Sequence, residues 1–507
     1  MGATDGSAAA RARVPTGVRG LDDILQGGLP ADQLFLLEGA PGTGKTTLAL
    51  QFLLEGARRG ERCLYVTLAE TAREVRLVAH SHEWSLDGID ILELAPPDEV
   101  LKPEMQYTVF HPSDVELGQT MRRIYDEIEQ RRPARLVLDS VSEMRILAQD
   151  PLRLRRQMLA LKHFFTGREC TVMVLDDVRS DNADLQFGSI AHGVIQLEQI
   201  ALEYGAERRR LRVLKMRGQW YRGGLHDFVI RTGGLVVFPR LVSASHGLLP
   251  VGQFVSSGNP QVDLLLGGGL DDGTATLITG PAGVGKSVLC TQYALAAARR
   301  GERVAIYLFD ERHRTFLARA AGLGMELDAE IEAGRILVRQ IDPADVSPGE
   351  FSHIVMEAVE AQDVRLVVID SLTGYMNAMP EEKLLKIHLH ELFTYLTIRG
   401  VTSLLTLAQA GPFEATGGEP AQVSYLADSI LLLRYFEASG EVRQAVSVLK
   451  KRSGNHEHTI REFRIGHGGY QVGDPLRSFQ GVLTGVPDYI GNAARLEASH
   501  DGGRIPA

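Results

Sequence analysis

Short apolar runs alternate with helical patterns along most of the chain. The runs Cys63–Leu68, Arg135–Asp139 and Thr171–Leu175 are mostly apolar at successive positions rather than at every second one. Runs of this kind are typical of strands that are buried on both faces of a parallel sheet. Between them lie longer helical stretches such as Leu48–Leu54. The pattern predicts an α/β fold in which a mostly parallel sheet is flanked by helices.

The same order of elements occurs twice. The second half has strand-like runs at Val304–Leu308, Leu366–Asp370 and Ser403–Leu407, and a helical stretch at Val288–Ala294. Glycine-rich positions repeat at a constant separation of 241 residues without a gap. The matched positions are Thr16-Gly17 with Ser257-Gly258, Gly28 with Gly269, and Gly39 with Gly280. An unbroken register over these positions indicates a tandem duplication.

The duplication sets the predicted domain bounds. The strand-like run Leu235–Phe238 precedes Pro239, and the stretch from His246 to Val255 has the composition of a linker. We predict a flexible N-terminus at 1–13, a first domain at 14–245, a second domain at 246–485 and a flexible tail at 486–507.

Composition and charge narrow the class of protein. The 507 residues are 44% hydrophobic and 23% charged, which is ordinary for a globular protein. The net charge of −10 disfavours a protein that binds nucleic acid. The three cysteines do not form a disulfide or zinc pattern. No apolar stretch approaches the length of a membrane span, and the N-terminal residues lack the apolar core of a secretory signal, so we expect a cytoplasmic protein without membrane contact.

Two phosphate-binding loops carry the clearest chemistry. Gly39–Thr46 and Gly280–Ser287 both fit the pattern G-x-x-x-x-G-K-[ST], and each lies between an apolar strand and a helical stretch. Glycines allow successive backbone N–H groups to surround phosphate oxygens, and the helix N-terminus adds its positive dipole end. Lys45 and Lys286 are predicted to neutralise the β- and γ-phosphates of ATP, while a hydroxyl ligates Mg²⁺.

Acidic residues follow the neighbouring strands. Asp139 and Asp370 end apolar runs and are predicted to hold Mg²⁺, although a lone aspartate at such a place also suits a helix N-cap. Glu70 and the pair Asp310-Glu311 follow the first strand after each loop and keep the 241-residue register. We predict that these carboxylates orient or deprotonate the attacking group. The first-domain partner of Asp310 is Ala69.

A basic cluster lies late in each half, at Lys215-Met216-Arg217 and Lys450-Lys451-Arg452. Such a cluster is compatible with a solvated face, a nucleic-acid patch, or a finger that reaches the phosphates of a neighbouring subunit. The two phosphate-binding loops favour the third interpretation, with Arg217 and Arg452 acting on the phosphoryl group.

Together these motifs resemble the KaiC family, the double-domain ATPases of the bacterial circadian clock within the RecA-like class. The resemblance covers residues 14 to 485 and includes both loops, Glu70, Asp310-Glu311, Asp139-Ser140 and Asp370-Ser371. It implies two tandem RecA-like P-loop domains that form a homohexamer of two stacked rings, with ATP and Mg²⁺ between subunits. It also implies ATP hydrolysis in the first ring and Ser/Thr autokinase activity in the second.

The resemblance extends to individual residues. The implied Mg²⁺ ligands are Thr46, Asp139, Ser287, Asp310 and Asp370. The implied nucleotide-binding residues are Gly42, Thr43, Gly44, Lys45, Thr46, Thr47, Lys215, Met216 and Arg217 in the first domain, and Ala282, Gly283, Val284, Gly285, Lys286, Ser287, Val288, Lys450, Lys451 and Arg452 in the second. Ser424 matches the phosphorylated serine of the family, whereas Tyr425 replaces the adjacent phosphothreonine.

Three functions remain open from the sequence. The first is a hexameric ATPase with serine autokinase activity that acts as a signalling or circadian-type regulator, with KaiB-like proteins or sensor histidine kinases as candidate partners. The second is a nucleotide-gated scaffold with little kinase activity. The third is a RecA-like DNA motor, which the acidic charge disfavours.

Overall fold

The computed structural model describes residues 12–94, 112–148, 150–177, 185–202, 205–241, 253–377, 382–409, 424–438, 440–484 and 488–490. The chain divides into two compact units, Met1–Arg240 and Leu241–Ala507. No helix in the described ranges has the length and apolar character needed to span a bilayer.

The first unit is built around one nine-stranded sheet. Its strands are β1 (Arg13–Val14), β2 (Leu29–Pro30), β3 (Leu34–Gly39), β4 (Cys63–Thr67), β5 (Ile89–Glu93), β6 (Arg135–Asp139), β7 (Thr171–Asp177), β8 (Gly193–Ile200), β9 (Arg208–Met216), β10 (His226–Arg231) and β11 (Gly234–Phe238). Its helices are α1 (Arg19–Ile24), α2 (Lys45–Arg58), α3 (Ala72–Ser81), α4 (Pro112–Arg131), α5 (Val141–Ala148), α6 (Pro151–Phe165) and α7 (Leu185–Ile190). The sheet order is β11-β10-β9-β8-β3-β7-β6-β4-β5, and β1 pairs with β2 apart from it.

The sheet is parallel from β8 to β5 and antiparallel from β8 to β11. Side chains of each parallel strand alternate between two cores on opposite faces. On β3, Phe35 and Leu37 join one core, while Leu34 and Leu36 join the other. Burial on both faces explains why these strands read as continuous apolar runs, and it confirms the predicted fold class.

The second unit repeats this plan. Its strands are β12 (Phe254–Val255), β13 (Leu270–Asp271), β14 (Ala275–Gly280), β15 (Arg303–Leu308), β16 (Ile336–Gln340), β17 (Val364–Asp370), β18 (Thr402–Ala408), β19 (Ser429–Ala438), β20 (Glu441–Lys451), β21 (Arg461–Gly466), β22 (Gly469–Pro475), β23 (Phe479–Gln480) and β24 (Asp488–Tyr489). Its helices are α8 (Pro260–Leu265), α9 (Lys286–Arg299), α10 (His313–Gly322), α11 (Asp328–Glu332), α12 (Pro348–Gln362), α13 (Leu372–Asn377) and α14 (Glu382–Ile398), followed by a 3-10 turn at Val482–Thr484.

The second nine-stranded sheet has the order β16-β15-β17-β18-β14-β19-β20-β21-β22. It is parallel up to β19 and antiparallel beyond it. β12 pairs with β13, and β23 pairs with β24, outside the large sheet. The strand that leads into each phosphate-binding loop, β3 or β14, is paired on both sides within its sheet. Each loop therefore begins at the carboxyl end of a central, rigid strand.

Candidate active sites

Each phosphate-binding loop joins a central strand to the N-terminus of a helix. Gly44 and Gly285 cap α2 and α9 with φ of 99° and 110°, a left-handed conformation that favours glycine. A Cβ on Gly44 would lie 2.6 Å from the Cδ1 methyl of Ile230, so a larger residue would also have to displace that side chain. The loop backbone is thereby held in the curled form that presents N–H groups to an anion.

The loop lysines fold back over their own loops. Lys45 Nζ donates to the carbonyl oxygens of Gly39 at 2.7 Å and Ala40 at 3.0 Å. Lys286 Nζ donates to the carbonyl oxygens of Gly280 at 2.8 Å and Pro281 at 2.7 Å. Burial lowers the pKa of Lys286, and the negative charge of Asp370 acts in the opposite direction. Both ammonium groups are positioned over the space that a loop of this type offers to phosphate.

The other predicted loop residues divide into exposed and buried positions. Gly42, Ala282 and Gly283 are exposed, and Gly42 and Gly283 have positive φ. The buried positions are Thr43, Thr47, Val284 and Val288. Thr43 Oγ1 donates to the Ala40 carbonyl oxygen at 2.8 Å and braces the loop from within. The exposed positions offer backbone to a ligand, whereas the buried ones maintain the loop conformation.

Asp139 lies at the end of β6, beside the loop of the first domain. Tyr65 OH donates to Asp139 Oδ2 at 2.5 Å, and the neighbouring Thr46 hydroxyl lowers the pKa of both residues. Burial raises the pKa of Asp139, while the bond from Tyr65 and the charge of Lys45 oppose that rise. Burial also raises the pKa of Tyr65 well above its usual range. The hydroxyl and carboxylate oxygens needed for Mg²⁺ therefore lie together.

Glu70 follows β4 and faces the same corner. Its backbone is fixed by Thr67, whose Oγ1 donates to the Glu70 carbonyl oxygen at 2.7 Å. Its Oε2 atom is buried without a hydrogen-bond partner among the described residues. Burial raises the pKa of Glu70, and the negative charges of Asp139 and Glu74 raise it further. A half-buried carboxylate that has a raised pKa and one oxygen without a hydrogen-bond partner among the described residues has the properties of a general base.

The acids of the second domain are more fully engaged. Thr406 Oγ1 donates to Asp370 Oδ1 at 2.5 Å, and the Ser371 hydroxyl donates to Asp310. Glu311 forms a two-point ion pair with Arg319 of α10, at 2.8 and 3.2 Å. The first-domain residue in the position of Arg319 is Val78, by the same 241-residue register. The predicted acids do gather at one edge of each sheet, but Glu311 carries a partner that Glu70 lacks.

The basic cluster of the first domain lies at the opposite edge of its sheet. Lys215 Nζ donates to the carbonyl oxygens of Gly188 at 2.7 Å and Ala191 at 2.8 Å, at the end of α7. Arg217, which is exposed, donates to the Ser189 carbonyl oxygen at 2.9 Å. Burial lowers the pKa of Lys215, and the charge of Arg217 lowers it further. Two cations therefore crowd together at an exposed edge.

The second cluster repeats this arrangement. Lys450 Nζ donates to the carbonyl oxygens of Ala427 at 2.7 Å and Ser424 at 3.2 Å. Arg452 donates to the Tyr425 carbonyl oxygen at 2.9 Å and pairs with Asp428 at 3.1 Å. Ser424 is half-buried, and the Tyr425 side chain is 53% exposed. The predicted acceptor serine thus lies beside the predicted phosphate-contacting cations, while residues 410–423 before it lie outside the described ranges.

Met216 and Lys451 are the middle residues of the two clusters, and their side chains point into the interior of their own domains. Met216 packs in the core of the first domain. Lys451 is buried, and its Nζ donates to the carbonyl oxygens of Leu266 at 2.5 Å and Gly269 at 3.1 Å. Both side chains are held inside their own domains, so any contact of these two residues with nucleotide falls to their backbone.

The sequence interpretation missed Asp177. It lies at the end of β7, next to the loop strand, and its Oδ1 is 2.8 Å from Lys45 Nζ. Asp139 was identified because it is an acid at the end of an apolar run, and Asp177 likewise follows the apolar run Thr171–Leu175. Arg319 was missed as well, because no sequence pattern relates it to Glu311. No cluster of three or more His, Cys, Asp or Glu side chains in a metal-binding arrangement occurs within the described ranges.

The two loops, with strand-end acids beside them in a mostly parallel sheet, define a tandem P-loop nucleoside triphosphatase of the RecA-like class. Comparison with known proteins specifies the family. The family described as "ATPase: KaiC" matches residues 14–242 and 255–477. This chain belongs to the KaiC ATPase family.

Individual relatives are distant but cover nearly the full length. "Circadian clock protein KaiC3" of Synechocystis sp. is 26% identical over 94% of this chain and 95% of its own length. "Circadian clock oscillator protein KaiC" of Parasynechococcus marenigrum is 27% identical, over 96% of this chain and 95% of its own. The protein of the same name from Synechococcus elongatus is 28% identical, over 94% of this chain and 92% of its own.

Proposed function

We propose that the protein is an ATP-hydrolysing homohexamer of two stacked rings, with serine autokinase activity in the second domain, and that it acts as a signalling or circadian-type regulator. One observation carries the proposal. In each domain the late basic cluster lies at the end of the sheet opposite to its own phosphate-binding loop, which supports a role for Arg217 and Arg452 at the nucleotide of a neighbouring subunit.

The strand register supports this separation. On the first sheet Phe35 is paired with Gly193, which is paired with Met216, whereas the loop begins four residues later at Gly39. Four residues of strand span about 13 Å. The second sheet matches it, since Thr276 pairs with Ser429, which pairs with Lys451. An arginine at this edge does not reach its own loop, but a ring would bring it to the loop of the next subunit.

The oxygen ligands present fit Mg²⁺ at each loop. Thr46 and Asp139 would hold it in the first domain, and Ser287, Asp370 and Asp310 in the second, with the nucleotide phosphates and waters completing the shell. When bound, Mg²⁺ supplies positive charge that stabilises the triphosphate during transfer. Glu70 would take the proton of the attacking water in the first domain, because one oxygen of its carboxylate has no hydrogen-bond partner among the described residues.

The position of Ser424 supports autokinase activity. Its carbonyl oxygen binds Lys450, so the serine belongs to the same edge that would face the neighbouring ATP. Ser424 Oγ would attack the γ-phosphorus, the bond from that phosphorus to the bridging β–γ oxygen would break, and ADP would leave. The serine proton would pass to the carboxylate of one of the two adjacent acids of the neighbouring subunit, Asp310 or Glu311, and an acid that accepts the proton would not at the same time bind Mg²⁺.

A second candidate is a nucleotide-gated scaffold with little kinase activity. The ion pair between Glu311 and Arg319 favours it, because it occupies one of the two acids of the second domain. In either case we expect a cytoplasmic protein that binds a KaiB-like protein or a sensor histidine kinase. The names of the relatives, which describe clock proteins, support a role of this kind.

Two measurements test the proposal. Light scattering with ATP, ADP or no nucleotide should show six subunits only when nucleotide is present. Tandem mass spectrometry after incubation with ATP and Mg²⁺ should find phosphate on Ser424 in the wild type and much less in the double variant Asp310→Asn/Glu311→Gln. Lys286→Ala serves as the control that removes the donor site. A hexamer without phosphate on Ser424 would support the scaffold, and a monomer under all conditions would overturn both candidates.

A further inference from the structure

Lys45 forms an ion pair within its domain, whereas the corresponding lysine of the second domain forms none among the described residues. Asp177 Oδ1 lies 2.8 Å from Lys45 Nζ, and the two side chains are 36% and 10% exposed. Lys286 makes the same two carbonyl contacts within its own loop but has no ion-pair partner among the described residues. The phosphate-facing cation is therefore neutralised in one domain and not in the other.

The difference arises from a single position in equivalent frameworks. Gly39 on β3 is paired with Asp177 on β7, and Gly280 on β14 is paired with Ala408 on β18. The backbone N–H of Asp177 donates to Ser142 Oγ at 3.3 Å. In the second domain the N–H of Ala408 donates to Thr373 Oγ1 at 3.0 Å. The strand ends are thus held alike, and the carboxylate is what differs.

The carboxylate of Asp177 is also fixed in place. Ser142 Oγ lies 3.2 Å from Asp177 Oδ2, which leaves Oδ1 directed at Lys45. The adjacent acid, Asp176, forms its ion pair with Arg145 at 2.7 Å and not with Lys45, although its Oδ1 also lies 3.2 Å from Ser142 Oγ. The pair of Lys45 with Asp177 is therefore a specific contact and not a general effect of negative charge near the loop.

We propose that Asp177 is an internal counter-ion that competes with nucleotide phosphate for Lys45 and so weakens nucleotide binding in the first domain. A phosphate group that takes the lysine must displace the carboxylate, and it then lies near an uncompensated negative charge. Ala408 imposes no such competition on Lys286. This inference rests on nucleotide binding at the first loop, but on neither hexamer formation nor autokinase activity.

The test is a binding measurement in the full-length chain. A fluorescent ADP analogue without Mg²⁺ is titrated by anisotropy into a Lys286→Ala background, so that only the first loop is read. Asp177→Ala and Asp177→Asn should each tighten binding about 3- to 30-fold, as expected for loss of a partly exposed competing ion pair. Asp176→Asn removes a charge at the next residue without freeing Lys45 and should have a clearly smaller effect.

The reciprocal change is Ala408→Asp, measured in a Lys45→Ala background. It should weaken binding at the second loop by a similar factor, with thermal unfolding used to show that the variant is folded. Unchanged or weaker binding in the Asp177 variants would overturn the inference, as would equal tightening by Asp176→Asn. If Ala408→Asp does not fold, the Asp177 series alone decides. If the Lys286→Ala background itself binds no nucleotide at the first loop, the failure is of nucleotide binding and not of the counter-ion.

Discussion

Replacing Arg217 by alanine should slow hydrolysis in the first domain with little loss of nucleotide affinity. Arg217 follows β9, whose last residue, Met216, is paired with Gly193 at the amino end of β8. About 13 Å of strand separates this edge from the edge that carries Lys45. The guanidinium also donates to the Ser189 carbonyl oxygen, which holds it at its own edge. We therefore expect any effect of Arg217 on phosphate to act across the proposed subunit interface.

The size of the effect follows from the charge removed. A fixed guanidinium that contacts the transferring phosphoryl group stabilises charge in the transition state more than in the bound substrate. We expect turnover to fall about 10- to 1000-fold while the nucleotide dissociation constant changes much less. Arg212 is the matched control, because it is an arginine on the same strand that contacts Gln196 and Glu198 instead. Arg212→Ala should leave turnover close to that of the wild type.

A mixing experiment tests the direction of the contact. Arg217→Ala subunits keep Glu70, and Glu70→Gln subunits keep Arg217, so each is impaired alone in a Lys286→Ala background. Random mixing in equal amounts joins the two intact halves at about one interface in four. Phosphate release should therefore recover to about a quarter of the rate of the background protein. Mixed hexamers, verified by native mass spectrometry, that are no more active than the average of the two variants would refute action in trans.

Three further predictions concern assembly and pH. Lys45→Ala should shift the hexamer toward smaller species in light scattering, because nucleotide would bridge subunits; an unchanged hexamer free of nucleotide would contradict this. Burial raises the pKa of Glu70, and Glu70 must be ionised to act as a base, so the rate of hydrolysis should fall on acidification at a higher pH than for an ordinary glutamate. Val78→Arg, which places an arginine at the position of Arg319, should move this acidic fall of the rate to lower pH. No movement would argue against Glu70 as the base. Burial lowers the pKa of His226 to about 4 from 6.5, so as the pH falls the unfolded chain is protonated at this histidine before the folded chain is. The free energy of unfolding of the first domain should therefore fall by up to about 3 kcal/mol between pH 6.5 and about pH 4. In urea unfolding, His226→Gln should show a weaker dependence of this free energy on pH.

The elements that the sequence predicted well are those whose signal is local. The run Arg135–Asp139 is β6 residue for residue, and Thr171–Leu175 lies within β7. The phosphate-binding loops and the acids at strand ends are likewise encoded within a few residues of each other. Contacts such as that between Asp177 and Lys45 join strands far apart in the chain, so they depend on strand order and register, which apolar patterns do not specify.

The alternation of side chains along a strand explains the two basic clusters and could have been used to interpret them from the sequence. Successive side chains of a strand point to opposite faces. In the first cluster Lys215 faces the exposed edge and Met216 faces the core; in the second, Lys450 and Lys451 divide in the same way. Applied to the sequence, this alternation predicts that the first and third residues of each cluster face outward and that the middle residue faces the interior of its own domain.

The acids that neighbour the aspartate suited to metal binding differ in position between the two domains. The first domain has Glu70 and, from a different strand, Asp177, while position 69 is alanine. Of the two, Asp177 is paired with Lys45, and Glu70 has no ion-pair partner among the described residues. One acid is thus neutralised and one remains available to act as a base.

The second domain reaches the same balance by another route. Asp310 and Glu311 are adjacent, and position 408, which corresponds to Asp177, is alanine. Glu311 is neutralised by Arg319, and Asp310 is bound only by the hydroxyl of Ser371 within the described ranges. Because Arg319 lies on a helix outside the loop, nucleotide binding need not disturb that pair. In the first domain the cation that pairs with the acid is Lys45 of the loop itself. A nucleotide that binds Lys45 would therefore break its ion pair with Asp177. The two domains therefore pair an acid with a cation in different ways, and we expect nucleotide binding to release an acid only in the first domain.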